Sequence, residues 1–268
     1  MTSELSPAPR VNDTPTKVVI GLSGWPNAGN VASYGIDYIK RKLNATKIGE
    51  MDSASFYNFL LQRPIIKIDK GLLKEVELPK NELFLYESKK GSVRVMVFSG
   101  VEPHANWPGY VKEFLNLICS GRVEIICILG GLVDSSHQVL EPAMSGLANS
   151  EQWVKLLHQQ KIPLSEYSGP GSIHSLILSE SAKRGIPAFS LWGHVPDFIN
   201  GTDPVTTYGV LQKLQVMAGI EMDLADLENE SQRFTKKVGK LLRKDPRFKA
   251  FGVESAQGNA EKKPHYIR

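Results

Sequence analysis

Apolar positions along the chain fall into two periodicities. Four near-continuous runs rich in Val, Ile and Leu, at Lys17–Leu22, Val93–Ser99, Val123–Leu129 and Pro187–Trp192, have the length and β-branched content of buried strands. Each runs into a loop that carries glycine. Weaker strand patterns lie at Thr46–Met51, Ile65–Ile68 and Leu83–Glu87. Helical spacing of apolar residues predicts helices over Val31–Leu43, Trp107–Ser120, Glu151–Gln160, Ser172–Arg184 and Pro204–Ala218, the last with Pro204 in its first turn after Thr202 or Asp203 as cap. Apolar strands alternating with helices call for a sheet covered on both faces, an α/β fold.

A further stripe, Leu224, Leu227, Ser231, Phe234, Val238 and Leu241, recurs at alternating three- and four-residue steps and predicts a C-terminal amphipathic helix over residues 223–247. Ser231 interrupts it, and about three heptads are too few for a free-standing coiled coil. The helix is therefore expected to lie against its own sheet layer. Residues 1–16 and 248–268 carry no periodicity and read as flexible tails around an α/β domain at 17–222.

Charge qualifies the picture only at that end. The formal net charge is +4, but residues 236–268 hold 10 Lys and Arg against 3 Asp and Glu, leaving 22 against 25 in residues 1–235. The helix begins acidic and ends basic, which its macrodipole favours, so the body offers no basic face for nucleic acid and none is expected as a partner. No apolar run approaches the ~18 to 20 residues that cross a bilayer, and the segment before Thr16 lacks the apolar stretch of a signal peptide. A cytoplasmic protein without a membrane partner is the expectation. The two cysteines, Cys119 and Cys127, sit among apolar residues and read as buried structural thiols.

Chemistry is expected at the loops. Gly24-Trp25-Pro26-Asn27-Ala28-Gly29-Asn30 has the glycine spacing of a phosphate-cradling loop, but Asn30-Val31 stands where that motif needs Lys and Ser or Thr. ATP hydrolysis is therefore not expected. Backbone N–H groups at Asn27, Gly29 and Asn30, or at Gly171, Ser172 and Ile173, are the places expected to hold a small anion. The second loop brings Glu102 and His104, the third Asp134 and His137, and the fifth His194. They supply acids and bases on paper, without a Gly-x-Ser-x-Gly elbow or metal-ligand histidine spacing. Because loops after parallel strands gather at the sheet's carboxyl edge, the first, second, third and fifth are expected on one rim.

Several of these segments together resemble the PAC2 family, the group that includes proteasome assembly chaperones. They are Gly24-Trp25-Pro26-Asn27-Ala28-Gly29-Asn30-Val31, Phe56-Tyr57 with Arg63-Pro64, Gly100-Val101-Glu102-Pro103 with Trp107, Tyr167-Ser168-Gly169-Pro170-Gly171, Gly185-Ile186-Pro187-Ala188, and Ser190-Leu191-Trp192-Gly193 with Val195-Pro196. The resemblance covers residues 17–235. It implies a three-layer α/β/α sandwich of the phosphorylase/hydrolase-like kind and homo-oligomers, often trimers; it carries over no catalytic residues, cofactor or metal. Two departures stand out. Asn27 and Asn30 occupy positions that are often glycine in the family, and the chain ends His265-Tyr266-Ile267-Arg268, with tyrosine one place too early for docking on a proteasome ring. The reading is a non-enzymatic oligomeric binding or assembly-chaperone-like protein with a protein partner. The alternative is a small-molecule enzyme or ligand-binding protein, a hydrolase, phosphorylase or ATP-grasp-like ligase, working at the rim.

Overall fold

The computed structural model describes residues 14–52, 54–89, 91–119, 121–135 and 142–244. Nine strands and six helices follow in the order β1 (Thr16–Ser23), α1 (Val31–Leu43), β2 (Thr46–Glu50), β3 (Ile65–Asp69), β4 (Leu72–Glu77), β5 (Glu82–Glu87), β6 (Arg94–Val101), α2 (Trp107–Ile118), β7 (Val123–Asp134), β8 (Ala143–Ala148), α3 (Glu151–Gln159), α4 (Ile173–Lys183), β9 (Ala188–Pro196), α5 (Pro204–Ala218) and α6 (Ala225–Lys244) among the described residues. Seven strands form one sheet in the order β2-β5-β6-β1-β7-β9-β8. The four apolar runs are its parallel centre, β6-β1-β7-β9, and antiparallel strands close both edges.

Alternation along the central strands divides the core. Val18, Ile20 and Leu22 of β1 face α2 and α4, while Val19 faces α1 and α5. Both clusters are fully buried at their centres, which is why these strands read as unbroken apolar runs. The fold is a three-layer α/β/α sandwich. Asp203 caps α5, its carboxylate accepting from the N–H groups of Val205 and Thr206 at 2.9 and 3.2 Å, with Pro204 at the first turn.

The C-terminal helix α6 docks through its N-terminal half. Leu227 is fully buried, Lys42 reaches Asp226 at 2.8 Å, and the Tyr38 hydroxyl donates to the same carboxylate. The helix lies on α1 and α5, outside the sheet rather than on it. Of the residues read as tails, only 14–16 are described, and residues 245–247 of the expected helix also lie outside the described residues. Cys127 is buried, whereas Cys119 is only half-buried, close to the Arg184 guanidinium; burial pushes both thiols up.

Between β2 and β5 the chain leaves the body. β3 and β4 pair only with each other, in an antiparallel ribbon. Its register puts Ile66 opposite Val76 and Ile68 opposite Leu73, with a bulge between Lys67 and Ile68. One face of the ribbon is therefore apolar, and the other carries Lys67 opposite Glu75. The apolar face is bare: Ile66, Ile68, Leu73 and Val76 are each more than half exposed.

Candidate functional site

Four of the expected loops meet at the carboxyl ends of β1, β6, β7 and β9, and the start of α4 joins them. The first loop lies flat on β7: Gly131 N–H donates to the Pro26 carbonyl at 2.8 Å, and a Cβ at Gly131 would stand 2.2 Å from the Ala28 carbonyl oxygen. Only glycine allows that approach. The Asn27 carboxamide accepts from Ser33 N–H at 3.0 Å, and Asn30 adopts a left-handed conformation with φ 54° while donating to the Thr202 hydroxyl at 3.1 Å. Asparagine tolerates that region better than any residue except glycine, which accounts for Asn30 at a glycine-rich position. The Gly29 carbonyl accepts from Asp203 N–H at 2.8 Å, so the loop is clasped on both sides.

Glu102 crosses the rim. Its carboxylate accepts from Ile173 N–H at 3.2 Å and from the backbone of Trp25; burial pushes its pKa up and those N–H groups offset part of the rise. Ser172 caps α4, accepting from His174 N–H at 3.2 Å, and Ser175 N–H turns back to the Ser172 carbonyl. At this helix start Ile173 N–H is engaged by Glu102 and His174 N–H by Ser172. His104 stands apart from the rest. Its Nδ1 accepts from Asn58 N–H at 3.2 Å and its ring meets Tyr57 edge-on, tying down the segment that leads to the ribbon.

Asp134 and His194 come together. His194 Nδ1 lies 3.1 Å from Asp134 Oδ2, and His194 Nε2 lies 2.9 Å from the hydroxyl of Ser145 on β8. His137, the remaining candidate, lies outside the described residues. Ser145 was not singled out in the sequence, since Met144-Ser145-Gly146 matches no nucleophile motif. Opposite Ser145 in the ladder is Trp192, whose indole meets Trp25 edge-on with ring centres 6.3 Å apart and lies 4.5 Å from the ring of His174. Trp25 itself is 70% exposed. Among the described residues no group of three or more His, Cys, Asp or Glu side chains is placed to hold a metal ion.

His174 is the second residue missed, after Ser145. It is fully buried, with Nδ1 3.1 Å from the Ser190 hydroxyl and Nε2 without a partner. Burial lowers its pKa from the ordinary 6.5 to about 3, so the unfolded chain binds a proton there that the folded chain refuses. Stability from this group is present above pH 6.5 and is lost as pH falls toward 3. Going from pH 7 to pH 5 it removes about 2 kcal/mol. Denaturant titrations of the protein and of His174→Gln at both pH values are expected to show the variant losing less by that amount; equal losses would contradict the assignment.

A model of the PAC2 family matches residues 21–242. The chain belongs to the PAC2 family. Among solved structures, a Mycobacterium tuberculosis proteasome-assembly chaperone homologue superposes with TM-score 0.79 at 24% identity, over 88% of this chain and 99% of that one. A Streptomyces avermitilis PAC2 family protein gives TM-score 0.75 at 23% identity, over 84% and 95%. A Pyrococcus furiosus archaeal proteasome activator gives 0.68 at 20%, over 88% and 96%. No curated protein matches the chain. At these identities the PAC2 structures share the fold, and the rim residues are read from their own geometry.

Proposed function

We propose that this PAC2 protein is an assembly-chaperone-like, protein-binding homo-oligomer of the cytoplasm, a trimer, in which the β3–β4 ribbon of one subunit packs against the next. The observation that carries this reading is the ribbon itself. An isolated two-stranded hairpin is marginal in water, and this one turns an entirely apolar face outward. Leu60 and Leu61 before the ribbon, and Ile65 and Leu72 on its other face, are also more than half exposed. Monomers rarely leave such an apolar face bare.

A second copy of the chain is the occupant that suits a surface carried by every subunit, because symmetric closure buries all copies at once. Trimers among bacterial members, implied by the family resemblance, set the number. The names of the related structures, a proteasome-assembly chaperone homologue and a proteasome activator, support a role in handling other proteins. A photo-activated cross-linker placed at Leu73 is expected to join copies of this chain to one another. Adducts confined to the same subunit, or none, would overturn the self-association.

A further inference from the structure

Ser145, His194 and Asp134 lie on the same side of three adjacent strands, β8, β9 and β7, and their hydrogen atoms can be assigned by elimination. An ionised carboxylate only accepts, so the contact between Asp134 Oδ2 and His194 Nδ1 requires the ring proton on Nδ1. Nε2 is then left with a lone pair, and the 2.9 Å contact to Ser145 is the serine hydroxyl donating to it. That is the arrangement of an activated nucleophile: an orienting acid, a base in the correct tautomer and a hydroxyl whose proton the base can take.

A second serine–histidine pair among the described residues shows what a purely structural contact looks like. His174 and Ser190 are both fully buried, and no carboxylate fixes the ring. Ser145 is itself buried, at 8% exposure, but its partners His194 and Asp134 keep 18% and 25% of their side-chain surface in water. The indole of Trp192 stands beside Ser145 in the ladder, with exposed Trp25 edge-on to it. Two indoles, an imidazole and a carboxylate suit an uncharged ligand with an apolar part.

We propose that this PAC2 rim is a serine hydrolase site for small neutral carboxylic esters. Ser145 Oγ attacks the ester carbonyl carbon while His194 Nε2 takes the hydroxyl proton. The carbon–alkoxide bond breaks, the alcohol leaves with that proton, and the acyl group stays on Ser145. A solvent water, deprotonated in turn by His194, attacks the acyl carbon; the acid departs and the proton returns to Ser145 Oγ. Asp134 is a positioning residue, holding the ring and its tautomer throughout. The site is remote in sequence from the ribbon, and its chemistry is independent of the oligomer.

An alkyl fluorophosphonate, from which serine Oγ displaces fluoride, tests the site on the full chain, with mass mapping of the adduct and hydrolysis of p-nitrophenyl butyrate as readouts. One adduct per chain is expected, on Ser145. Both readouts should fall at least ~100-fold in His194→Gln, the loss typical for a general base. Ester hydrolysis should be lost in Ser145→Ala and unchanged in Ser190→Ala. Asp134→Asn, which lets the amide donate to Nδ1 and moves the ring proton to Nε2, should lose labelling, and Asp134→Glu should retain it; a merely structural carboxylate would not separate the two. The proposal is overturned by folded protein that takes no adduct, by an adduct elsewhere, or by labelling at Ser145 that His194→Gln leaves unchanged. If Ser145→Ala fails to fold, the adduct map of the unaltered protein still decides.

Discussion

Replacing Ile66 with Lys and Leu73 with Glu together is expected to convert the assembly to folded monomers. The two side chains lie on the apolar face of the ribbon, 56% and 55% exposed in the single chain, so neither supports the fold of its own subunit. They belong to different cross-strand pairs, Ile66 with Val76 and Leu73 with Ile68, and the introduced charges are opposite, which leaves the hairpin's own pairing intact. In the proposed interface the same positions are covered. Each substitution there removes an apolar anchor and places an unpaired charge against a dry surface, at a cost of about 2 kcal/mol or more. Together about 4 kcal/mol weakens association roughly a thousandfold. The melting of the monomer should differ little from that of the parent diluted below its association range. An unchanged native mass would remove the ribbon from the interface.

The second large effect belongs to α6. Leu227 is fully buried between α1 and α5, and Leu227→Asp leaves both a cavity and an unpaired carboxylate; about 4 kcal/mol or more of stability should be lost. Phe234, one turn beyond the break at Ser231, is only half-buried, so Phe234→Asp should cost less. Leu241 is 58% exposed, and Leu241→Asp should fall within ~0.5 kcal/mol of the parent. Chemical unfolding of the three variants checks the gradient. Light scattering separates the two roles of the helix: all three should keep the parent's association state while folded, and a folded monomer from Phe234→Asp would place α6 in the subunit contact.

The elements legible in the sequence were those whose burial is two-sided or strictly periodic. The parallel centre of the sheet, α1 and α5 came out in place, because each carries an unbroken apolar run or a clear cap such as Asp203 before Pro204, although β7 and β9 run five and four residues past their expected ends. Strands β4 and β8 were not legible. Leu72–Glu77 contains Lys and Glu inside a strand, and four of the six residues of Ala143–Ala148 are Ala, Ser or Gly, residues with little strand preference that pair because β9 offers them an edge. The same blindness hid Ser145, whose approach to His194 is created by that edge pairing across 49 residues of chain. Asp134 and His194 were candidates on residue type alone, and their meeting follows from β7 and β9 being neighbours in parallel register. The exposure of the ribbon could not be read at all, since an apolar run looks alike whether its own body or a second copy covers it.

Whether the chain associates through the bare ribbon is decided most directly by the native mass of the unaltered protein at micromolar concentration, by light scattering after size separation. The account predicts a single species of three times the 29.7 kDa chain mass. A monomer of 29.7 kDa under those conditions would contradict it.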